Sequence, residues 1–424
     1  MPLPIDINKN MDTSMLYRMP WTLTDNTSTW LEITRDCDIT CEYCIQGHKR
    51  ELPKPFEQVA FELKDLLRLR KCDSVVIAGG EPLTHPDIVR IVELTNQNVN
   101  KSLIITNAVA LTEPLLRELK HAGLFGCILH IDSGQHRPGW QDKTEKELNE
   151  LRQHYADMFE KVGGLVCSFI TTILPKALHN VRDIIAWMVE NNNKVVQNII
   201  IPVRGWHPDD PWDYYVDDKK IEIVKTAYNL NDQYPFMDAN DIYDEFKLIL
   251  PDFEFAAFLG GTEVANAPKW VIGLYLKCGN KIIGNVGKKT VEFVEMVNHF
   301  IYGRYVSFGK KWVYSWIKPF LLPLALIDGK IRKALFTYLK VLTSQPYLLF
   351  LPVRAQVLII MQPLDLLPNG DLDLCDGCPN RTYFEGRLVP ECRMEDYLKY
   401  GKGLRHVPRK EFSADNSAFN SSEH

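Results

Sequence analysis

Residues 29–44 read TWLEITRDCDITCEYC, a β-branched apolar run that stops at a polar turn and then delivers Cys37, Cys41 and Cys44 within eight residues. A strand ending in chemistry-bearing residues is the mark of an α/β unit, in which functional groups gather where strands end and loops begin. Outward from it, the pattern repeats. With a first strand at Thr29–Thr34, further short runs follow at Ser74–Ala78, Ser102–Thr106, Cys127–Asp132, Leu165–Ile173 and Val195–Pro202. Stretches of helical period lie between them, near Phe56–Arg70, Pro86–Asn96, Glu113–Ala122, Thr144–Lys161 and Asn180–Glu190. This alternation predicts six parallel β/α units. Six units form either an open doubly wound sheet or an incomplete barrel, and periodicity does not separate the two.

The chain has 424 residues, 46% of them apolar, enough to bury a large core. Its start, MPLPIDINKNMDTSMLYRMPW, lacks a basic region followed by an apolar run and a cleavage site, so the expectation is a cytoplasmic protein with reduced thiols. Six of its ten cysteines fall in two tight clusters. Cys72, Cys127, Cys167 and Cys278 lie singly in or beside apolar stretches and read as buried structural thiols, with Cys278 also kept open as a ligand. A net charge of −5 argues against a general nucleic-acid binder. The average hides an asymmetry: from Arg304 to Arg354 there are nine Lys or Arg and one acidic residue, Asp328.

Cys37, Cys41 and Cys44 are spaced CxxxCxxC, so three thiolates can converge from one compact loop. A 4Fe–4S cube is ordinarily held by four cysteines. Three leave one iron open to a small molecule, and one that chelates through amino and carboxylate groups would have its sulfonium held against the cluster. Structural zinc is the alternative, because His48 completes a Cys3His set. Farther along, VVIAGGEPLTHPD (75–87) offers two glycines that let backbone approach a ligand and Glu81 as an acceptor for an ammonium group, though a plain turn reads the same way. LIITNAVAL (103–111) ends a strand at Thr106–Asn107, and LHIDS (129–133) puts His130 and Asp132 on one strand face, either at a ligand or hydrogen-bonded within the core.

Taken in order, these residues resemble the radical S-adenosylmethionine (SAM) superfamily. Its motif is CxxxC, any residue, an aromatic and Cys; here Cys37, Cys41, Glu42, Tyr43 and Cys44 fill it, with Tyr43 at the aromatic position. Gly79, Gly80, Glu81 and Pro82 look like the family's GGEP, which binds the SAM amino group. Thr106 and Asn107 look like its TNG, with Ala108 replacing the glycine, and His130 and Asp132 stand where the family often carries a polar SAM contact. The resemblance covers roughly residues 28–205. It implies a partial (β/α)6 TIM-type barrel and a 4Fe–4S cluster on Cys37, Cys41 and Cys44 with exchangeable SAM. It implies reductive cleavage of SAM to a 5′-deoxyadenosyl radical that takes hydrogen from substrate, with a reductase, flavodoxin or ferredoxin as electron donor. The competing reading is a non-catalytic metal-binding scaffold that retains the barrel.

Near the C-terminus, LPNGDLDLCDGCPNRTYFEGRLVPECRMEDY (367–397) carries Cys375, Cys378 and Cys392. This resembles the auxiliary-cluster regions of SPASM and twitch type, with fewer cysteines than those have. A second iron–sulfur cluster is expected there, zinc being the alternative, and its fourth ligand is open among Cys278, a substrate atom and none. The segment 304–354 also holds ten aromatics. Pro319, Pro323, Pro346 and Pro352 and its charges interrupt it, so it should not cross a membrane. It reads as a cationic interfacial surface on the inner face of a membrane, giving access to a lipid-like substrate, or as helices with a solvated basic rim. Gln135, His136, Arg137, Trp140 and Arg204 are candidate substrate contacts or exposed loop polarity. The expected division is an extension (1–27), the barrel (28–210), an irregular and helical region (211–360), the auxiliary cysteine region (361–407) and a disordered tail (408–424). The substrate is a small or lipid-like molecule; no RNA-binding signature accompanies the basic segment, so no nucleic acid is expected.

Overall fold

The computed structural model describes residues 11–46, 50–203, 212–222, 237–367 and 369–409. After a two-residue strand β1 (Tyr17–Arg18), six strands run parallel in chain order: β2 (Ser28–Thr34), β3 (Ser74–Gly79), β4 (Lys101–Thr106), β5 (Leu124–His130), β6 (Val166–Ile173) and β7 (Gln197–Pro202). Helices α1 (Phe56–Leu69), α2 (Ile88–Asn98), α3 (Glu113–His121), α4 (Glu145–Val162) and α5 (Val181–Glu190) make the crossovers. This is a partial (β/α)6 barrel. The largest departure from the expected bounds is β5, which runs Leu124–His130 rather than Cys127–Asp132 and leaves Asp132 in the loop beyond it.

The rest of the chain adds β8 (Trp212–Val216), β9 (Lys219–Ile221), α6 (Ala239–Ile249), β10 (Ala257–Leu259), β11 (Trp270–Cys278), β12 (Lys281–Asn285) and α7 (Lys288–Tyr302). Then come α8 (Lys311–Ser315), α9 (Lys318–Ile327), α10 (Gly329–Ser344), β13 (Val353–Met361), the hairpins β14 (Asp365–Leu366)–β15 (Leu372–Asp373) and β16 (Arg381–Phe384)–β17 (Arg387–Pro390), α11 (Met394–Tyr400) and β18 (Arg405–Pro408). The region expected as irregular and helical therefore also extends the sheet. β13 pairs parallel with β7, β11 antiparallel with β13, β10 with β11, and β1 parallel with β10. Both long strands, WVIGLYLKC and VRAQVLIIM, are buried on both faces and so lack the polar alternation that marks a half-exposed strand.

The sheet must curl. Ten strands laid flat at ~4.8 Å would put its edges, β1 and β2, roughly 43 Å apart. The chain from Arg18 to Ser28 reaches at most about 36 Å. Side chains divide accordingly: Ile77, Ile104, Leu129 and Phe169 join the helices in the main core, while Ile128, Ile170 and Ile199 line the concave side. Cys72, Cys127, Cys167 and Cys278 are all buried. His48, Arg204 and residues 410–424 of the expected tail lie outside the described residues. Among the described residues, no helix is long and apolar enough to cross a membrane.

Candidate active site between two cysteine loops

β2 runs directly into the first cysteine loop, which is clamped from two sides. On one side the Gly80 N–H donates to Thr34 O (2.9 Å) and the Glu81 N–H to Asp36 O (2.8 Å). A Cβ on Gly79 would stand 2.0 Å from Thr34 O and one on Gly80 2.1 Å from Asp36 O, so close backbone approach demands both glycines. On the other side the loop after β5 holds it, through Glu42 N–H to Gly134 O (2.9 Å) and His136 N–H to Thr40 O (2.8 Å). Gly134 has no room for a side chain: its Cβ would lie 2.3 Å from Tyr43 Cε1. Tyr43 is buried there, donating its hydroxyl to Asp132.

Glu81 is fully buried. Its carboxylate accepts from Leu83 N–H (2.9 Å), Thr106 O–H (2.6 Å) and Asn107 N–H (2.7 Å). Burial pushes its pKa up to about 7, against those hydrogen bonds. The acceptor expected for an ammonium group is thus engaged by the protein's own donors, tying the exit of β3 to that of β4. Asp132 is similarly enclosed, accepting also from Gly134 N–H (3.1 Å) and Thr172 N–H (3.0 Å) and pairing with His130 Nε2 (2.9 Å). Burial acts to raise it, but His130 and these hydrogen bonds hold it below the usual carboxylate range. Asn107 Nδ2 donates to Asp38 (2.7 Å) and lies 3.8 Å from Cys37 Sγ.

Among the loop candidates, buried Arg137 donates to Asn107 O (2.6 Å), His130 O (3.1 Å) and Gln135 Oε1 (2.9 Å), so it braces the loop. Gln135 reaches the cavity wall, His136 is exposed, and Trp140 packs partly buried against the main core.

The second cysteine loop is strapped to the start of the barrel. Arg70, at the end of α1, donates to Cys378 O (2.8 Å) and Pro379 O (3.0 Å), and Asn26 Nδ2 donates to Gly377 O (2.8 Å). Gly377 (φ +67°) is forced by Trp21 O, 2.1 Å from where its Cβ would be. Fully buried Lys269 pairs with Asp365 and Asp373 (2.9 Å to the latter), fixing the hairpin that leads to Cys375. The Cys375 thiol donates to Cys378, which raises Cys375 and lowers Cys378 to about 7, the Arg381 and Arg70 charges adding to the latter.

These two loops, nearly 340 residues apart in sequence, face one cavity of about 290 Å³. Cys37, Cys41 and Cys44 line it together with Cys375, Cys378 and Cys392, and so do Tyr43, Gly79, Gly80, Thr106, Asn107 and His130. Glu81, Pro82 and Asp132 sit behind that wall. The remaining wall is largely apolar, including Ile105, Ile170, Ile201, Trp270, Met361 and Leu374. The sequence reading missed Trp270, Met361 and Arg381 on this wall; Trp270 and Met361 stand at the ends of strands buried on both faces, which leave no alternation to read.

Both donor sets fit soft-metal chemistry: each is three thiols on a short span, with an amide N–H near Cys37 sulfur or guanidinium groups near Cys378 to offset thiolate charge. Burial pushes Cys37 up to about 11 and Cys41 well above its ordinary value, so metal loading must displace protons. Among the described residues no group of three or more His, Cys, Asp or Glu stands in a metal-holding arrangement. Cys278 is not at the second loop. Its thiol lies in a satellite core beneath α9 and α10, 3.5 Å from Leu348 O.

Residues 31–215 match the radical SAM superfamily. PqqA peptide cyclase of Gluconobacter oxydans is 32% identical over 142 residues, 32% of this chain and 32% of that protein. Molybdenum cofactor biosynthesis protein 1 of Bos taurus is 32% identical over 109 residues, 24% of this chain and 17% of its own length. The chain spans no more than about a third of either relative. A structure of Streptococcus suis SuiB bound to S-adenosylmethionine aligns at 16% identity and a TM-score of 0.39, covering 54% of this chain and 48% of that one. Residues 31–215, from the first barrel strand onward, are a radical SAM superfamily domain.

Proposed function

We propose that this chain is a radical SAM enzyme that binds SAM against a 4Fe–4S cluster on Cys37, Cys41 and Cys44 and acts on a lipid-like substrate, using a second iron–sulfur cluster on Cys375, Cys378 and Cys392. The observation that carries the reading is the meeting of both cysteine loops, the Gly79–Gly80 backbone and the Thr106–Asn107 strand end at one cavity. When bound and reduced by a reductase, flavodoxin or ferredoxin, the cluster and SAM together supply a hydrogen-abstracting 5′-deoxyadenosyl radical.

The chain's own residues then have positional tasks. Gly79 and Gly80 bring backbone to the wall where SAM would lie, while Glu81 and Asp132 fix the strand ends behind it. Tyr43 and Gly134 lock the cysteine loop. The apolar wall excludes water from a reactive centre, and it favours an apolar substrate over a sugar or peptide rich in charge. The largely apolar wall and the basic, aromatic segment Arg304–Arg354 together support placing the enzyme peripherally on the inner face of a membrane.

The test is anaerobic reconstitution with iron and sulfide, then dithionite and SAM, with 5′-deoxyadenosine quantified beside a Cys41→Ala control. Product from the wild type alone supports the reading. A wild type with a loaded three-cysteine cluster that forms no product, with or without an added membrane extract, would favour a non-catalytic scaffold. Iron in Cys375→Ala/Cys378→Ala/Cys392→Ala at the wild-type level would remove the second cluster.

A further inference from the structure

One face of the α-rich extension has no part in the site just described. Eighteen of the 26 exposed large apolar side chains among the described residues fall between Phe293 and Leu351. α9 buries Leu321 and Ala325 on one side yet leaves Phe320, Leu322 and Leu326 at 47%, 68% and 76% exposure. α10 buries Ile331, Ala334 and Tyr338 and exposes Phe336 at 65%, and Phe350, in the turn after it, is 85% exposed. A surface helix ordinarily turns polar residues outward. α9 packs on α10, α10 on the Pro346–Phe350 turn, and α7, with Phe300 exposed at 89%, meets α9. The apolar side chains therefore belong to adjoining elements.

The charge around them is predominantly basic, the exposed acidic groups being Glu254, paired with Lys330 (2.5 Å), and Glu292 on α7. Lys310, Lys311, Lys318, Arg332, Lys333 and Lys340 border these elements, while Asp328 is buried, accepting from Lys330 N–H (2.8 Å) and Thr290 N–H (2.9 Å). Arg332, Lys333 and Lys340 line one open groove on α10 with Phe336 and Thr337. Ten residues of helix span about 15 Å, half the hydrocarbon thickness, so α9 can lie in a bilayer interface but cannot cross it.

We propose that this face docks on an anionic lipid bilayer, with Phe320, Leu322, Leu326, Phe336 and Phe350 entering the acyl boundary and the α10 groove receiving a phosphate headgroup. Cationic rims and exposed aromatics complement an anionic membrane on both counts, charge and apolar depth. The inference deepens the membrane location given above, and its test reads nothing from the radical chemistry, so either can fail alone.

The experiment is co-sedimentation of the full chain with vesicles of phosphatidylcholine alone or mixed with phosphatidylglycerol, at low and high salt. The variants are Leu322→Glu/Leu326→Glu/Phe336→Glu and Lys333→Gln/Lys340→Gln, each checked for wild-type circular dichroism and thermal unfolding. Binding to the mixed vesicles should weaken at least about tenfold in the triple variant, and the double variant should lose the preference for anionic lipid. No wild-type binding to mixed vesicles at low salt overturns the proposal, and so does equal binding by a folded triple variant. A wild-type dimer abolished by the triple substitution, without vesicle binding, would instead make the face an interface between copies.

Discussion

Replacing Arg70 with methionine should loosen the C-terminal cysteine loop while leaving the barrel folded. The side chain is 1% exposed, and its guanidinium donates to Leu23 O (2.7 Å), Ser28 O (2.9 Å), Pro379 O (3.0 Å) and Cys378 O (2.8 Å). Burial lowers its pKa to about 10, which still leaves it charged at neutral pH. Hydrogen bonds from a charged donor contribute roughly 1.5–3 kcal/mol each, so four would amount to about 6–12 kcal/mol. Removing the guanidinium recovers several kcal/mol of its desolvation cost, and methionine refills much of the volume, leaving a net loss of about 3–5 kcal/mol. Two of the four acceptors belong to Cys378 and Pro379, so about 2 kcal/mol falls on that loop, or a roughly 30-fold rise in its opening. Hydrogen–deuterium exchange across residues 372–393, with iron per chain after reconstitution, measures this. Arg70→Lys should fall between, because an ammonium cannot match the forked geometry. If Arg70→Met leaves exchange there unchanged and global stability within about 0.5 kcal/mol of wild type, the guanidinium is not the strap.

Gly134→Ala should displace Tyr43 from its 2.3 Å clash, break the Tyr43–Asp132 contact and cut 5′-deoxyadenosine formation by about tenfold or more in a folded protein; wild-type turnover would refute this. Lys269→Met leaves the buried Asp365 and Asp373 carboxylates uncompensated and should cost about 3–5 kcal/mol in urea unfolding, partly restored by adding Asp373→Asn, whereas a loss under about 1 kcal/mol would contradict it. Burial raises Glu295 from 4.5 to about 8. The folded state then keeps a proton that the unfolded state has lost, so this group's stability contribution is full below about pH 4.5 and falls as pH rises toward 8, by up to about 3–5 kcal/mol. Glu295→Gln should flatten that slope in denaturant titrations between pH 5 and 8, and parallel slopes for the two proteins would sink the assignment.

Local signals carried the barrel because every one of its strands meets the next through a short crossover, so the alternation that forms each unit also sets its neighbour. The strand-end residues were legible for the same reason: Cys37, Gly79, Thr106 and His130 are placed by the β/α period itself. Glu81 was legible as important but not in its task, since a sequence cannot tell whether a carboxylate faces ligand or the N–H groups of Leu83 and Asn107. β11 and β13 were hidden by burial on both faces, which erases alternation. The meeting of the two cysteine loops was hidden more deeply. It depends on Arg70, which in the sequence is one more basic residue at the end of a helix, the commonest place for a solvated cation. Its guanidinium turns inward onto the carbonyls of Leu23 and Ser28 and, through pairing with backbone more than 300 residues away, onto those of Cys378 and Pro379. The residue that joins the two halves of the site therefore carries no chemical signature of it, and the cysteines that do carry one could say which metals they suit but not that they share a chamber.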